Sequence, residues 1–289
     1  PGDKILEVSG EDMKGKRSNE LTDYLKGKAG TTFIIKIERT GEGIVEKSIT
    51  RENIKLKNVP YHGIIENNIG YLKLTSFTSN AGKEVQEAVI DLKREGATSI
   101  VLDLRNNGGG LLHEAINIVN VFVPRGETIV ITKGKFIEDN RTYKTLNSPV
   151  DIAIPLIVLI NGNSASASEI VSGALQDLDR AVLVGRNSFG KGLVQTTKRL
   201  TYNTSMKITT AKYYIPSGRL IQRLDYGNKI NGKAIAVADS VKKAFTTRNG
   251  RAVTDGEGIQ PDQNIALPDF SKLAQSLVQN NLIFTYANK

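Results

Sequence analysis

The chain has 289 residues, 39 Lys and Arg against 30 Asp and Glu, and a formal net charge of +9. It contains no cysteine, which excludes thiol catalysis, disulfides and cysteine-based metal sites, and its two histidines, His62 and His113, are too few for a histidine-rich metal centre. The basic residues are scattered rather than gathered into blocks, so the charge does not read as a nucleic-acid surface, and no apolar run reaches the ~18 residues that span a membrane.

Residues 1–57 read as a small separate unit. Lys4–Val8 is an expected strand. Ser18 is placed to cap a helix through Lys26, with Leu21 and Leu25 on one face and Gly27 near its end. Thr31–Arg39 alternates apolar and polar residues, as a half-buried strand does. Gly41–Gly43 is a turn, and Ile44–Thr50 is the partner strand. A β-α-β-β run of this length buries little core alone. With no initiator Met before Pro1, it reads as the later part of a domain that begins upstream.

Residues 58–289 read as one core. Residues 58–69 carry His62 and few structural signals, and are expected to be a connector. Ile69–Leu74 is a strand, and Ala81–Glu95 a helix with Val85, Val89 and Leu92 on one face. Ser99–Leu104 is a continuous apolar run of the buried, parallel-sheet kind. It ends in Arg105-Asn106-Asn107-Gly108-Gly109-Gly110, and a helix from Leu112 to Phe122 follows, with His113 at its start. Strand, glycine loop and helix make a βα unit whose loop lies where α/β sheets place ligands. Glu127–Thr132 is a further strand, and Lys133–Val150 an irregular surface excursion.

The richest stretch follows. Ile154–Ile160 predicts a buried strand, Asn163–Ala167 a turn of small residues, and Glu169–Leu178 a helix. Ala181–Val184 predicts a second buried strand, ending in a glycine-rich turn that carries Lys191. Leu193–Leu200 and Met206–Tyr214 read as strands joined at Tyr202-Asn203. Residues 225–258, rich in Gly, Lys and Asn, are expected to be mobile, and Phe270–Asn280 predicts a final helix. The expected fold class is α/β (α+β), a mixed, largely parallel sheet flanked by helices, with the β-rich unit at the N-terminus.

Two chemistries compete for this stretch. Gly185-Arg186-Asn187-Ser188-Phe189-Gly190-Lys191 has the spacing of a nucleotide-binding phosphate loop, and Ser99–Asp103 resembles the acid-tipped strand that holds magnesium. A phosphate loop needs Ser or Thr after its lysine and then opens a helix; here Gly192 and a strand-like segment follow. The alternative is a hydrolase in which a serine hydroxyl is activated by a lysine. A free lysine, with a pKa near ~10.4, is protonated at neutral pH, but partial burial favours the neutral amine. Phe189, Leu193 and Val194 flank Lys191 with apolar groups, and Gln195 is within reach to orient the amine. A serine at the start of a helix faces unpaired amides that can hold an oxyanion, and the glycines at 108–110 allow a second amide to approach. Spacing does not choose among Ser164, Ser166 and Ser168, and Ser168 before Glu169 suits a helix cap.

The opening PGDKILEVSGEDMKG, with the helix and the GTTFIIKIER strand, resembles the C-terminal two-thirds of a PDZ domain. Such domains take an extended peptide tail onto a sheet edge, but their carboxylate-holding loop would precede Pro1. Together with DLRNNGGG, SASASEI and FGKGLVQ, in that order, the whole chain resembles the carboxyl-terminal processing (tail-specific) protease family. The resemblance implies Ser166 as nucleophile, Lys191 as base and Gln195 as its orienter. It implies oxyanion amides at Gly110 and Ala167, with Gly109 as the alternative to Gly110. It further implies an endopeptidase acting on protein or peptide substrates near apolar C-terminal tails, located in the bacterial cell envelope or periplasm, with no metal or organic cofactor, no nucleic acid, and room for homo-oligomerisation. An inactive peptide-binding or scaffold relative is the other class; the presence of Ser166, Lys191 and Gln195 together argues against it.

Overall fold

The computed structural model describes residues 2–54, 56–266 and 270–288. The chain divides into two compact units, Pro1–Leu56 with Leu267–Lys289, and Lys57–Ala266. In the smaller unit, β1 (Lys4–Val8), β2 (Glu11–Asp12), β3 (Thr32–Arg39) and β4 (Gly43–Thr50) form an antiparallel sheet in the order β2-β1-β3-β4, accompanied by α1 (Ser18–Leu25). Residues two apart share one face of a strand. Phe33, Ile35 and Ile37 therefore turn inward together, meeting Val8, Met13, Leu21 and Leu25. Arg17 rather than Ser18 stands at the N-cap of α1, where its N–H donates to Glu20 Oε2 at 2.8 Å.

The larger unit carries two sheets. Its elements are β5 (Tyr61–Ile65), β6 (Ile69–Lys73), α2 (Ala81–Arg94), β7 (Ser99–Asp103), α3 (Leu112–Phe122), β8 (Thr128–Gly134) and β9 (Arg141–Lys144). They continue with β10 (Leu156–Ile160), α4 (Ala167–Asp177), β11 (Val182–Gly185), β12 (Leu193–Arg199) and β13 (Ser205–Tyr214). The hairpins β14 (Leu224–Ile230) with β15 (Lys233–Ala236) and β16 (Ala244–Thr246) with β17 (Ala252–Thr254) follow, then β18 (Gln263–Asn264). The six-stranded sheet has the order β18-β11-β10-β7-β6-β5, all neighbours parallel except β5 on β6. The four-stranded sheet, β12-β13-β8-β9, is antiparallel.

Parallel neighbours need crossover connections, here α2 between β6 and β7 and α4 between β10 and β11. All 11 residues of α4 are buried. The helix touches α3, β11 of one sheet and β8 of the other, and apart from Glu169, Gln176 and Asp177, whose buried side chains are hydrogen-bonded, its residues are apolar or small. The main core joins Leu72, Val89, Leu102, Val119, Val158 and Leu175, among others, into one cluster.

Several segments differ from the sequence expectation. The connector at 58–69 contains the edge strand β5, and the excursion at 133–150 contains the edge strand β9. An edge strand has one neighbour, so its apolar pattern is weak. Residues 225–258 hold the two hairpins, whose exposed faces need few apolar residues. After 266, α5 (Lys272–Gln279) and α6 (Leu282–Ala287) belong to the smaller unit, whereas the sequence assigned them to the core. An amphipathic pattern fixes a helix but not its partner.

Asp151 ties the start of β10 to α2. Lys93 Nζ donates to its Oδ2 at 2.5 Å, and the N–H groups of Ala153 and Ile154 donate to Oδ1 at 2.7 and 2.8 Å. The Lys93 hydrogen bond, against the opposing effect of burial, holds the carboxyl down to about 2. A carboxyl lowered on folding stabilises above its unfolded pKa and loses that contribution as pH falls through the folded value. The unfolding free energy should therefore decline from about pH 4 toward pH 2 in part through Asp151. Urea titrations across this range should show a shallower acid decline in Asp151→Asn.

Candidate active site

Three loops leave the same edge of the six-stranded sheet. Asp103 of β7 lies opposite Leu159 of β10, and Ile160 of β10 opposite Gly185 of β11. The strands are parallel neighbours, so the glycine loop after β7, the serine turn after β10 and the lysine loop after β11 emerge side by side. Between them lies a cleft of about 440 Å³, whose lining includes Gly109, Gly110, Ser166, Ala167, Lys191 and Gln195. Among the described residues no hydrogen bond links Ser166 Oγ, Lys191 Nζ and the Gln195 side chain to one another; Lys191 is half-buried and Gln195 exposed.

The surroundings of the serines differ sharply. Ser164 and Ser168 are fully buried. Ser164 Oγ donates to the Leu104 carbonyl and Ser168 Oγ to the Asn107 carbonyl, both at 2.8 Å. Their hydroxyls fasten the serine turn to the glycine loop. Ser168 is thus inside the first turn of α4, not its cap. Ser166 is the N-cap, half-buried on the cleft, with φ 58° and ψ −112°. A non-glycine residue on the left-handed side of the map costs about 1–3 kcal/mol, and a sharp strand-to-helix turn of this kind pushes the side chain out of the backbone.

The glycine loop is set by Asn107, which is wholly buried. Its Nδ2 donates to the Leu74 carbonyl at 2.8 Å, and its Oδ1 accepts the Gly109 N–H at 2.9 Å. Gly109 has φ +92°, and a Cβ there would stand 2.6 Å from the Ala165 carbonyl oxygen. A Cβ on Gly110 would stand 2.5 Å from the Phe77 carbonyl oxygen. Only glycine permits this approach to the serine turn. The Gly109 N–H is engaged by Asn107, whereas the N–H groups of Gly110 and Ala167 have no acceptor among the described residues.

The residue that joins the loops is Glu169, buried and three positions after Ser166. Its Oε2 accepts the N–H groups of Ser166 at 2.8 Å and Lys191 at 2.9 Å. Its Oε1 accepts the Gly190 N–H at 2.6 Å and the Ser188 hydroxyl at 2.5 Å. Burial pushes this carboxyl above its ordinary range, and the hydrogen bonds from Ser188, Lys191, Ser166 and Gly190 oppose the shift. Every partner donates, so the pocket fits the ionised form. The sequence signal for Glu169 is the Ser-x-x-Glu spacing of a capping box. What that spacing omits is the reach across to the lysine loop.

The phosphate-loop reading fails here. The Gly190 and Lys191 amides already hold a carboxylate, and β12 rather than a helix follows Gly192. Asp103 is likewise engaged: Arg105 Nη2 and the Tyr71 hydroxyl each donate to Oδ2 at 2.7 Å. Burial raises its pKa, but the bonds from Arg105 and Tyr71 outweigh this and keep it below the usual range. Leu193 and Val194 line the cleft beside Lys191 as expected, but Phe189 does not; its ring lies 5.9 Å from the Arg223 guanidinium. Neither His62 nor His113 lines the cleft.

The model of peptidase family S41 matches residues 68–231. The chain belongs to peptidase family S41. It is 43% identical over 226 residues to a carboxy-terminal-processing protease of Bartonella bacilliformis, covering 76% of this chain and 51% of that one. It is 31% identical over 273 residues to the carboxy-terminal processing protease CtpA of Bacillus subtilis, covering 94% and 51%. This S41 chain therefore spans about half the length of these curated relatives. The structure of the photosystem II D1 C-terminal processing protease matches with a TM-score of 0.55 and 28% identity, covering 91% of this chain and 63% of that one. A putative S41 protease from Bacteroides fragilis shares the fold with a TM-score of 0.56 at 18% identity, covering 99% and 73%.

Replacing Glu169 by Gln puts an amide N–H₂ where only donors converge. Glu169→Gln should lower the unfolding free energy by about 2–4 kcal/mol, read from denaturant midpoints. Glu169→Asp, which keeps the charge but shortens the reach, should lose less.

Proposed function

We propose that this S41 chain is a serine-type endopeptidase that cuts protein substrates near apolar C-terminal tails through a Ser166–Lys191 dyad. One observation carries the reading: a single cleft gathers a strained, half-buried serine, a half-buried lysine and two amides without acceptors among the described residues. The names of the relatives, which describe carboxy-terminal processing, support the direction of the cut.

In the proposed reaction the neutral Lys191 amine takes the Ser166 Oγ proton as Oγ attacks the scissile carbonyl carbon. The developing oxyanion accepts hydrogen bonds from the Ala167 and Gly110 N–H groups. Gly109 is the weaker candidate, because its amide is spent on Asn107. Collapse breaks the C–N bond, and Lys191 returns the proton to the leaving amine. Water, deprotonated by the same amine, then hydrolyses the acyl ester. Gln195 is assigned to orienting Lys191. The PDZ-like N-terminal unit is assigned to receiving the substrate tail. A location in the cell envelope and homo-oligomerisation belong to the same proposal, and among the described residues no helix is long and apolar enough to cross a membrane.

Ser166→Ala and Lys191→Ala should each lower kcat by about 10³-fold or more on an unfolded protein with an apolar tail. Retention of hydrolysis in either variant overturns the dyad.

A further inference from the structure

A second cavity lies beside the active-site cleft. Its volume is about 850 Å³, and it shares Lys191, Leu193 and Gln195 with the cleft. Leu193, Leu220, Leu224 and Val237 give it apolar walls, with the exposed rings of Phe189 and Tyr226 beside them. The buried amide in its lining is already spent. Gln222 Oε1 accepts the Gly192 N–H at 2.8 Å, and its Nε2 donates to the Leu224 carbonyl at 2.9 Å. Asp225 is engaged by its own turn: Oδ1 accepts the Gly227 and Asn228 N–H groups at 2.8 and 3.2 Å, and Oδ2 accepts Asn228 Nδ2 at 2.7 Å. Lys212 is the exception. It lines the cavity, is exposed, and has no hydrogen bond or ion pair among the described residues. On β13 it stands opposite Leu193 of β12 on one side and Lys133 of β8 on the other, so the three side chains share one face of the sheet. Lys133 Nζ lies 5.0 Å over the Tyr214 ring, and no carboxylate pairs with it among the described residues. Like charges directly opposite each other cost stability, and an anion beside them offsets that cost.

We propose that this cavity holds the last residue of the substrate tail, with its apolar side chain against the leucines and its α-carboxylate on Lys212. This rests on the serine–lysine reading of the cleft. In that reaction Lys191 returns a proton to the leaving amine, so the chain after the scissile bond departs on the lysine side of Ser166. Lys191 also lines the cavity, which therefore lies on the path of the tail. The α-carboxylate is the charge that a chain end carries whatever its sequence. An apolar final side chain brings no polar group that would need a partner in a pocket whose own buried amide is spent. Lys212 is thus a specificity-determining residue: it favours a bond a short way from a chain end over the same bond in mid-chain. The N-terminal unit keeps its assignment of receiving the tail, and the cavity holds the tail while the bond is cut.

Binding is measured in the full chain carrying Ser166→Ala, so that no turnover intervenes. The probe is one fluorescent peptide with an apolar last residue, made as the free acid and as the carboxamide. The acid should bind about five-fold more tightly, and the margin should shrink with added salt, as for an exposed charge pair. Adding Lys212→Met should erase the margin by weakening the acid alone, and adding Lys212→Arg should keep it. Adding Leu224→Trp, which fills the cavity, should weaken both peptides. Equal binding of acid and carboxamide overturns the proposal. So does a margin that survives Lys212→Met, which puts the carboxylate elsewhere, such as on the N-terminal unit. A Lys212→Met loss shared equally by both peptides, or binding indifferent to Leu224→Trp, overturns it as well. The dyad is checked separately, by the reaction of a small fluorophosphonate with the unaltered chain. If Ser166 is not modified, the serine–lysine reading falls. If it is modified and the binding margin is absent, only the role of the cavity falls.

Discussion

A buried carboxylate holds this site together. Ionised Glu169 in the core is tolerable only with its lone pairs satisfied, because an unpaired buried charge costs several kcal/mol. The donors that satisfy it come from two loops: Ser166 from the serine turn, and Ser188, Gly190 and Lys191 from the lysine loop. Neither loop can move without exposing part of that charge. Glu169 also sits in the first turn of α4, where the helix dipole favours a negative group. The strained backbone of Ser166 persists because this carboxylate and the Asn107 contacts hold it on both sides.

The other end of α4 extends the same brace. Asp177 Oδ1 and Gln176 Oε1 accept from the buried Arg219 guanidinium at 2.9 and 2.7 Å, and Asp177 Oδ2 accepts the Ser217 N–H at 2.9 Å. The segment beyond Arg219 turns back to the lysine loop. There Gln222 Oε1 accepts the Gly192 N–H at 2.8 Å, and the Arg223 N–H donates to the Gly190 carbonyl at 3.0 Å. The helix is a fully buried rod that fixes the serine at one end and the supports of the lysine at the other. Buried ion pairs add little net stability, but they penalise alternatives in which one partner is left alone.

Much of this was legible beforehand. Ile154–Ile160 and Ser99–Leu104 declared themselves as buried strands because both faces of a central parallel strand are covered, which removes polar residues from the run. Gly108–Gly110 declared close backbone approach, and Gly109 indeed packs against the carbonyl of Ala165. Edge strands β5 and β9 were hidden, since one neighbour and one wet face demand little of a sequence. Asn107 and Glu169 were hidden for a different reason. Each acts on a partner distant in the chain, and a polar residue in a loop or in the first turn of a helix has an ordinary local explanation.

The sequence by itself determined the central strands and the main helices, the turn that exposes a serine, and the glycines that let one loop approach another, because these depend on local periodicity and backbone freedom. It also limited the nucleophile to Ser164, Ser166 or Ser168 by spacing, and singled out Ser166 only by family resemblance. Tertiary structure decided which hydroxyls are consumed: Ser164 and Ser168 are spent on carbonyls of the glycine loop, and Ser166 faces the cleft. It also decided that serine and lysine share a cleft at all. That follows from the parallel order of β7, β10 and β11, which brings three carboxyl ends to one edge, and from a buried charge whose donors must converge.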